Sequence, residues 1–267
     1  MIMKVLLVGD IVGKVGRRVL SNVLFKVIDQ MKVDFTIVNC ENAAGGFGIT
    51  RETVSEIFKC GVNVLTSGNH IWDKKETLQF IVEDDRILRP ANYPEGVPGS
   101  GSGIFETNTG RKICILNLAG RVFMDSLDCP FKTADREISK LKASVPASQG
   151  RQIIIVDMHA EATSEKIAMG WYLDGRVSAV IGTHTHVQTA DEKILPNGTA
   201  YITDAGMTGP INSVIGIKKE LALQKFLTKI PKKFEMAGGE GQFNGVIVDI
   251  EENSGIAKGI KRLQLTG

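Results

Sequence analysis

The four histidines of this 267-residue chain all follow segments that are predicted to be buried strands. The same strand ends carry acidic and amide side chains, and together these candidates are Asp10, Glu41, Asn42, Asn69, His70, His159, His184 and His186. Carboxylate oxygen, amide oxygen and imidazole nitrogen, without thiolate, suit borderline or hard divalent metals, so Zn, Mn, Fe, Co and Ni all remain possible. The residue types therefore predict metal chemistry.

The joint pattern carries this prediction, because single residues of these kinds have simpler explanations. An Asp after a strand, such as Asp10, is usually a turn residue, and a lone histidine such as His159 is more often a satisfied polar group than a ligand. His184 and His186 are two residues apart, so an extended segment would direct them the same way and a turn would offer them to two ions. One shared acid with ligands on either side would make a two-metal site, with the ions about 3.5–4 Å apart.

The first 70 residues alternate between apolar runs, typical of buried parallel strands, and stretches with helical periodicity. Thr50 is a predicted N-cap, because Thr accepts hydrogen bonds from the first backbone amides of a helix. The predicted order is strand 4–8, helix 17–31, strand 35–38, helix 50–60 and strand 62–65. This order implies parallel strands joined by right-handed crossovers.

The remaining chain predicts more strands and helices, with no repeat and no linker. Residues 90–110 are rich in Gly, Pro, Ser and Asn and predict a loop with room for an edge strand. Strands are predicted at 112–118, 152–156, 178–181, 199–203, 243–250 and 256–265, and helices at 133–143 and 164–169. Five strands end in polar residues, at the edge where open parallel sheets bind ligands. We expect a single α/β domain over residues 1–267, with two packed sheets and outer helices.

Composition argues against several functional classes. The chain has 32 Lys and Arg against 30 Asp and Glu, a net charge of +2, which argues against a dedicated nucleic-acid surface. The four cysteines form no C-x-x-C pair, and Cys40 and Cys114 are expected to be buried reduced thiols. The apolar run 5–8 is too short for a signal peptide, and no stretch reaches the roughly 20 apolar residues of a membrane span. We therefore predict a cytoplasmic protein without a membrane partner.

Two motifs that resemble other catalytic or nucleotide-binding signatures do not match them. The run 9–14 is one residue short of a P-loop, with Val15 where Ser or Thr should bind magnesium, and Ile11 replaces the second glycine of a dinucleotide-binding turn. Gly13 and Gly16 are expected to let this turn approach the metal site closely. A serine-hydrolase interpretation of the run 67–70 would leave the other three histidines without a role.

The order of the candidate residues resembles that of the calcineurin-like metallophosphoesterases. That superfamily carries an Asp after the first strand, a bridging acid after the second, G-N-H after the third, then a lone His and finally G-H-x-H. The matching positions are Asp10, Glu41, Gly68-Asn69-His70, His159 and the block 182–186, which contains His184 and His186.

Two departures from the superfamily pattern narrow the resemblance. Val12 occupies the position of the histidine in the usual D-x-H, and the run 39–45 replaces the usual G-D-x-x-D-R. Both departures are features of the bacterial YmdB-like family. The blocks V-G-D-I-V-G, E-N-A-A-G-G and S-G-N-H-I-W-D and the runs 182–189 and 205–210 also resemble this family, so that the similarity covers nearly the whole chain.

The resemblance implies a four-layer αββα sandwich, two iron or manganese ions and phosphodiesterase activity on 2′,3′-cyclic nucleotides. It implies Asp10 and His186 as ligands of one ion, Asn69, His159 and His184 as ligands of the other, Glu41 as the bridging ligand and Asn42 at or beside the ions. A hydroxide held between the ions would attack phosphorus, and His70 would be the general acid that protonates the leaving oxygen.

Several alternatives stay open from the sequence. A phosphomonoesterase or protein phosphatase could use the same framework, and a regulatory protein could use the metal site structurally. The partner is expected to be a small phosphodiester, and a homo-oligomer is compatible with the sequence. The residues of the substrate pocket are not specified. The segments 171–175 and 45–48 are loop-like and could line it, and Trp171 and Tyr172 could either stack on a base or cap the core.

Overall fold

Two β-sheets lie face to face in the computed structural model, which describes residues 1–145 and 151–267. The first sheet contains β1 (Ile2–Val8), β2 (Asp10–Ile11), β3 (Phe35–Asn39), β4 (Val64–Thr66), β11 (Met207–Pro210), β12 (Gly241–Glu251) and β13 (Ala257–Thr266). Its order is β2-β11-β12-β1-β3-β4, with β13 paired to β12. The strands β1, β3 and β4 are parallel, whereas β12 is antiparallel to β1, so the sheet is mixed.

The second sheet has six strands in the described residues, in the order β5-β6-β7-β8-β10-β9. They are β5 (Ser102–Glu106), β6 (Lys112–Ala119), β7 (Ile153–His159), β8 (Ala179–Thr183), β9 (Lys193–Ile194) and β10 (Ala200–Ile202). The four central strands are parallel, and β5 and β9 are antiparallel edges. The strand β5 lies within residues 90–110, where the sequence predicted a loop with room for an edge strand.

The described part of the chain contains six helices, which lie on the outer faces of the two sheets or within the connecting loops. They are α1 (Gly13–Met31), α2 (Arg51–Phe58), α3 (Thr77–Phe80), α4 (Pro130–Ser144), α5 (Thr163–Leu173) and α6 (Lys219–Thr228). Thr50 is the N-cap of α2, as predicted, because its side chain accepts a hydrogen bond from the amide of Thr53 at 3.2 Å. No helix in these two described ranges is both long enough and apolar enough to span a bilayer.

Successive side chains of β1 belong alternately to two different cores, and this explains why four layers form. Val5 and Leu7 face the second sheet and belong to the core between the sheets, which also contains Ile153 and Ile155. Leu6 and Val8 point the other way and belong to a second core with α1 and α2. A third core joins the outer face of the second sheet to α4 and α5. Because each strand buries both of its faces, the layers stack as helices, sheet, sheet and helices, and the αββα prediction is confirmed.

Several elements were missed or shortened in the prediction. Helix α1 begins at Gly13 rather than at 17, and β2, β9, β11, α3 and α6 were not predicted. The missed strands have two to four residues, too few to show alternation, and α3 has four. Helix α6 has only Ala222 buried, so the sequence has no periodic core-facing stripe there.

The cysteines agree with the expectation of reduced thiols. All four are free, and Cys40 and Cys114 are buried. Burial raises the pKa of the Cys40 thiol far above its usual range and raises the pKa of Cys114 to about 12. These thiols are therefore protonated, apolar parts of the core.

Candidate metal centre

Strand ends from both sheets bring the eight candidate side chains to one cleft. Asp10 begins β2, Glu41 and Asn42 follow β3, and Asn69 and His70 lie three and four residues after β4. From the second sheet come the last residue of β7, His159, and the two histidines that follow β8, His184 and His186. The carboxyl ends of β1, β3 and β4 in one sheet and of β7 and β8 in the other thus supply side chains to the same place.

One group of possible ligands is formed by Glu41, His159 and His184, whose ligand atoms lie within 4.8 Å of one another. Nε2 of His159 is 3.1 Å from Oε1 of Glu41 and 3.0 Å from Nδ1 of His184. The amide oxygen of Asn69 lies 3.2 Å from the same Nε2. Four side chains therefore direct donor atoms to one point.

A second group is formed by Asp10, Glu41 and His186, again with ligand atoms within 4.8 Å. Nε2 of His186 lies 4.0 Å from Oδ1 of Asp10. The amide of Asn42 lies between the members, with Nδ2 3.0 Å from Oε1 of Glu41 and 3.2 Å from Nε2 of His186. Glu41 belongs to both groups, and it is the only residue that does so in the described residues.

The cluster is strongly polarised. Burial raises the pKa of Asp10 to about 6, although His186 and His159 oppose this. Burial would also raise the pKa of Glu41, but the charges of the neighbouring histidines and the hydrogen bond to His159 together outweigh it and lower the pKa to about 2. Burial opposes the charged form of His159 in the same way, but Glu41, with Asp10 and Asp157, outweighs it and raises the pKa of this imidazole to about 9. Burial and the neighbouring His159 lower the pKa of His184 to about 3. Glu41 is therefore held as a carboxylate beside a positively charged His159, whereas His184 is held neutral.

Two observations show that these residues fit metal ions. Oδ1 of Asp10 is buried and accepts no hydrogen bond from the described residues, although such an orphaned oxygen is costly. A Cβ atom at Gly68 would collide with Nε2 of His159 and Oε2 of Glu41, so glycine is needed for the backbone to come this close. The donors are three imidazoles, two carboxylates and two amides without a thiolate, a set that suits borderline or hard cations.

The backbone that presents His184 and His186 is strained. Their φ angles are 97° and 67°, in the left-handed region that side chains other than glycine rarely adopt. Each such residue costs about 1–3 kcal/mol, and this strain persists only where the surroundings hold it. The amide of His184 donates to Oδ2 of Asp10 at 3.2 Å, and the amide and hydroxyl of Thr185 donate to Asp204 at 3.0 and 2.7 Å. Nζ of the buried Lys166 donates to the same carboxylate at 2.6 Å.

Each imidazole of the cluster has its outer nitrogen paired. Nδ1 of His159 is 2.9 Å from the hydroxyl of Thr183, and Nε2 of His184 is 3.1 Å from Oε2 of Glu161. Nδ1 of His186 is 2.9 Å from the carbonyl oxygen of Ile215. Such outer contacts fix the orientation of each ring and direct its other nitrogen towards the cluster.

His70 lies beside the two groups rather than within them. Its amide donates to Oε2 of Glu41 at 3.2 Å, and its Nδ1 is 2.9 Å from Oδ2 of Asp73. The ring is 4.9 Å from the ring of Phe47, in an edge arrangement. Because Asp73 engages Nδ1, Nε2 is the atom that can exchange a proton with a ligand.

Sequence reasoning missed four side chains that orient the candidates, namely Asp73, Glu161, Lys166 and Asp204. Two of them had a usable signal: Glu161 follows β7 by two residues, and Asp204 follows β10 by two. The rule that polar residues after strands meet at one edge would have included both. Lys166 and Asp73 had no such signal, because their contacts depend on how α5 and the loop after β4 pack.

A cavity of about 230 Å³ lies over the candidate centre. Gly46 and Phe47 line it, in agreement with the possibility raised for the segment 45–48. Trp171 and Tyr172 are not among its lining residues. The hydroxyl of Tyr172 instead donates to Asp135 of α4 at 2.6 Å, and its ring packs against Phe131. Tyr172 therefore packs on α4 and does not line this cavity.

The glycines of the first turn serve different contacts. Gly13 has a φ of 57°, and its amide donates to the carbonyl of Asn42 at 2.9 Å, so it does bring the turn to the candidate centre. Gly16 lies elsewhere: a Cβ there would collide with the carbonyl of Thr208, so this glycine lets α1 approach β11. The expectation for Gly16 was therefore wrong, because the helix turns it towards the neighbouring strand.

Comparison with known proteins agrees with this geometry. The model of the YmdB-like protein family matches residues 6–263. This chain belongs to the YmdB-like family. A 2′,3′-cyclic-nucleotide 2′-phosphodiesterase from Bacillus subtilis (strain 168) is 45% identical over 261 residues, which cover 98% of this chain and 96% of that protein.

Two solved structures of similar chains share the fold along almost their whole length. A hypothetical protein from Thermus thermophilus has a TM-score of 0.90 and 40% identity, and the match covers 99% of both chains. A novel phosphatase from Mycoplasma pneumoniae has a TM-score of 0.91 and 34% identity, with 100% of this chain and 94% of that one covered. The structural similarity to these two chains therefore includes both sheets and every strand end of the candidate centre.

Proposed function

We propose that this chain is a metal-dependent phosphodiesterase that hydrolyses 2′,3′-cyclic nucleotides. The observation that carries the proposal is that Glu41 is shared by two groups of ligand atoms, with His70 directly beside them. Two ions bridged by one acid form the usual clamp for displacement at phosphorus. The identity of 45% to the Bacillus subtilis phosphodiesterase supports the same substrate class.

The proposed ligands follow the two groups. One ion would be held by Asp10 and His186 and the other by Asn69, His159 and His184. Glu41 would hold both. Asn42 would contribute its side-chain oxygen after its amide group rotates by 180°, which exchanges an oxygen and a nitrogen of similar size. When bound, the ions would polarise the phosphoryl oxygens and lower the pKa of bound water.

Charge explains why the centre suits a phosphoester. Two divalent ions carry about four positive charges, whereas Asp10 and Glu41 supply two negative ones. A net positive charge in a largely buried site attracts an anionic phosphodiester and stabilises the charge that develops on its oxygens. The surface adds little, because the formal net charge of the whole chain is only +2.

His70 supplies the proton in the proposed reaction. Opening a 2′,3′-cyclic phosphate releases a ribose oxygen, which is a poor leaving group unless it is protonated. His70 would donate the proton from Nε2, while Asp73 holds the ring through Nδ1 at 2.9 Å. General acid catalysis of this kind typically contributes about 10²–10⁴-fold.

We propose iron or manganese as the ions, as the resemblance to the YmdB-like family implies, and the nitrogen and oxygen donor set is compatible with either. We also propose a cytoplasmic location, which the four free thiols support.

The test combines metal analysis with a substrate panel. Purified protein should contain two ions per chain and should hydrolyse 2′,3′-cyclic nucleotides faster than 3′,5′-cyclic or linear phosphodiesters. Protein that is fully loaded with metal but inactive on every phosphodiester would contradict the proposal. A second candidate is phosphomonoester hydrolysis, which the similar Mycoplasma pneumoniae phosphatase favours, and faster release of phosphate from monoesters would establish it.

A further inference from the structure

One wall of the cavity over the candidate centre is apolar, while the opposite side holds the polar candidates. The apolar wall consists of Val12, Gly46, Phe47, Ile215, Ile217 and Met236. None of these side chains carries a hydrogen-bonding N–H, O–H or carbonyl group. The side chains of the wall can therefore make apolar contacts with a ligand but cannot form hydrogen bonds with its polar groups.

The apolar wall is tightly built from distant parts of the chain. Met236 packs on the backbone of Gly46, where a Cβ atom would collide with its sulfur. A Cβ at Gly216 would lie 2.7 Å from Cγ1 of Val12, so these two residues are also in close contact. Ile217 and Met236 form an antiparallel bridge, and the amide of Ala237 donates to the carbonyl of Gly216 at 2.8 Å.

The apolar wall is connected to the reacting groups at both ends. The carbonyl of Ile215 pairs with Nδ1 of His186 at 2.9 Å, and the ring of Phe47 is 4.9 Å from the ring of His70. A molecule whose phosphoester lies between His186 and His70 therefore has its remaining part against this surface.

We propose that the apolar wall is the subsite for the nucleobase of the substrate. This inference rests on the proposed function, since a cyclic nucleotide joins an anionic phosphodiester to a planar, largely apolar base through one ribose. The base would lie against Phe47, Met236 and Ile217. Stacking and apolar contact tolerate different bases, because every base has a flat face. Purines, which have the larger face, are expected to bind better than pyrimidines.

The test compares two substrates that share the reacting group. One is 2′,3′-cyclic AMP, and the other is the 2′,3′-cyclic phosphate of methyl ribofuranoside, which has the same ring to open but no base. For the unchanged protein, kcat/KM should be about tenfold or more higher for the nucleotide, the size expected for one stacked base. Damage to the metal centre lowers both rates equally, so the ratio reports only on the base.

Substitutions in the apolar wall should lower the ratio of kcat/KM between the two substrates. Met236→Ala and Phe47→Ala should each reduce it several-fold towards one, mainly through KM, whereas Met236→Leu should keep it. The matched control is Phe25→Ala, since Phe25 is 75% exposed on α1 and does not line the cavity. Met236→Gln, which keeps the size of the side chain, replaces Met236→Ala if that variant does not fold.

The outcomes separate this inference from the proposed function. Hydrolysis of both substrates at equal kcat/KM, or a ratio that the wall variants leave unchanged, would overturn the subsite and leave the phosphodiesterase proposal intact. If the metal-loaded protein hydrolyses neither substrate, both proposals fail. A ratio of about ten or more for the unchanged protein, a purine preference and a several-fold lower ratio in both alanine variants would support the subsite.

Discussion

The two halves of the candidate metal centre are built in different ways. In the half that contains His159, the imidazole is the last residue of β7, is fully buried, and is paired with Thr183 of the neighbouring strand. In the half that contains His186, the imidazole lies in a turn beyond β8, where its φ is 67°. Its outer nitrogen is held by the carbonyl of Ile215, a residue that itself has a φ of 49° and is 48% exposed.

The sheet positions one histidine, and an irregular part of the chain positions the other. The register of parallel strands places His159 directly beside Thr183, so hydrogen bonds along the whole sheet fix its position. The position of His186 depends instead on one irregular segment and on a strained turn, which it shares with His184 of the other half. We therefore expect His159 to be in place before any ligand arrives, and His186 to be more easily disturbed.

Glu41→Gln should have the largest effect, because Glu41 belongs to both halves. The substitution keeps the shape of the side chain but removes the negative charge that both groups share. Loss of an outer partner typically costs 10–100-fold in metal affinity, so loss of a shared ligand should cost more than about 100-fold for both ions. Calorimetric titration with Mn²⁺ and measurement of turnover would check this. Two sites of unchanged affinity would rule out Glu41 as the bridge.

His159→Ala and His186→Ala test the comparison directly. Each should leave about one ion per chain, but only His159→Ala should also lower the stability of the metal-free protein. It removes the imidazole that lies 3.1 Å from the buried carboxylate of Glu41, and loss of a hydrogen bond to a buried charged group costs about 1–3 kcal/mol. Metal content and thermal unfolding in chelator would be measured for both variants. The comparison fails if His186→Ala lowers the melting temperature as much, and the ligand assignment fails if His159→Ala binds two ions.

The sequence predicted the candidate side chains at the ends of regular strands better than the segments around them. Asp10, Glu41 and His159 follow or end apolar runs, and parallel pairing brings such ends together whatever the loops do. The strand boundaries and the N-cap of Thr50 were predictable for the same local reason. That these side chains meet in the fold is observed, and that they hold metal stays a prediction.

What could not be predicted depends on exposed or irregular chain. Leu223, Phe226 and Leu227 of α6 are more than half exposed, so its apolar residues do not mark a buried face. The segment around Ile215 and Ile217 contributes backbone carbonyls and an apolar wall, and neither leaves a pattern in the residue types. Its role became visible only through the contact of the carbonyl of Ile215 with His186.

His70→Ala should affect turnover without affecting either half. Both ions should stay, because His70 contributes only its amide to Glu41, at 3.2 Å. Turnover of a cyclic nucleotide should fall by about 10²–10⁴-fold, the usual contribution of a general acid. The loss should be much smaller for a p-nitrophenyl phosphodiester, whose leaving group needs no proton. Equal losses on both substrates, or a variant with one ion, would show that His70 does not act as the acid.

Glu161→Gln should give the smallest effect and should be confined to the half with His159. Glu161 contacts Nε2 of His184 at 3.1 Å, but its side chain is 49% exposed, which weakens the pair. Removing an outer partner of a ligand should lower the affinity for one Mn²⁺ by about tenfold and leave the other unchanged. Glu220→Gln, on the exposed α6, is the matched control. If Glu161→Gln weakened both ions alike, the halves would be coupled through His184, and the separation drawn from their backbone geometry would be wrong.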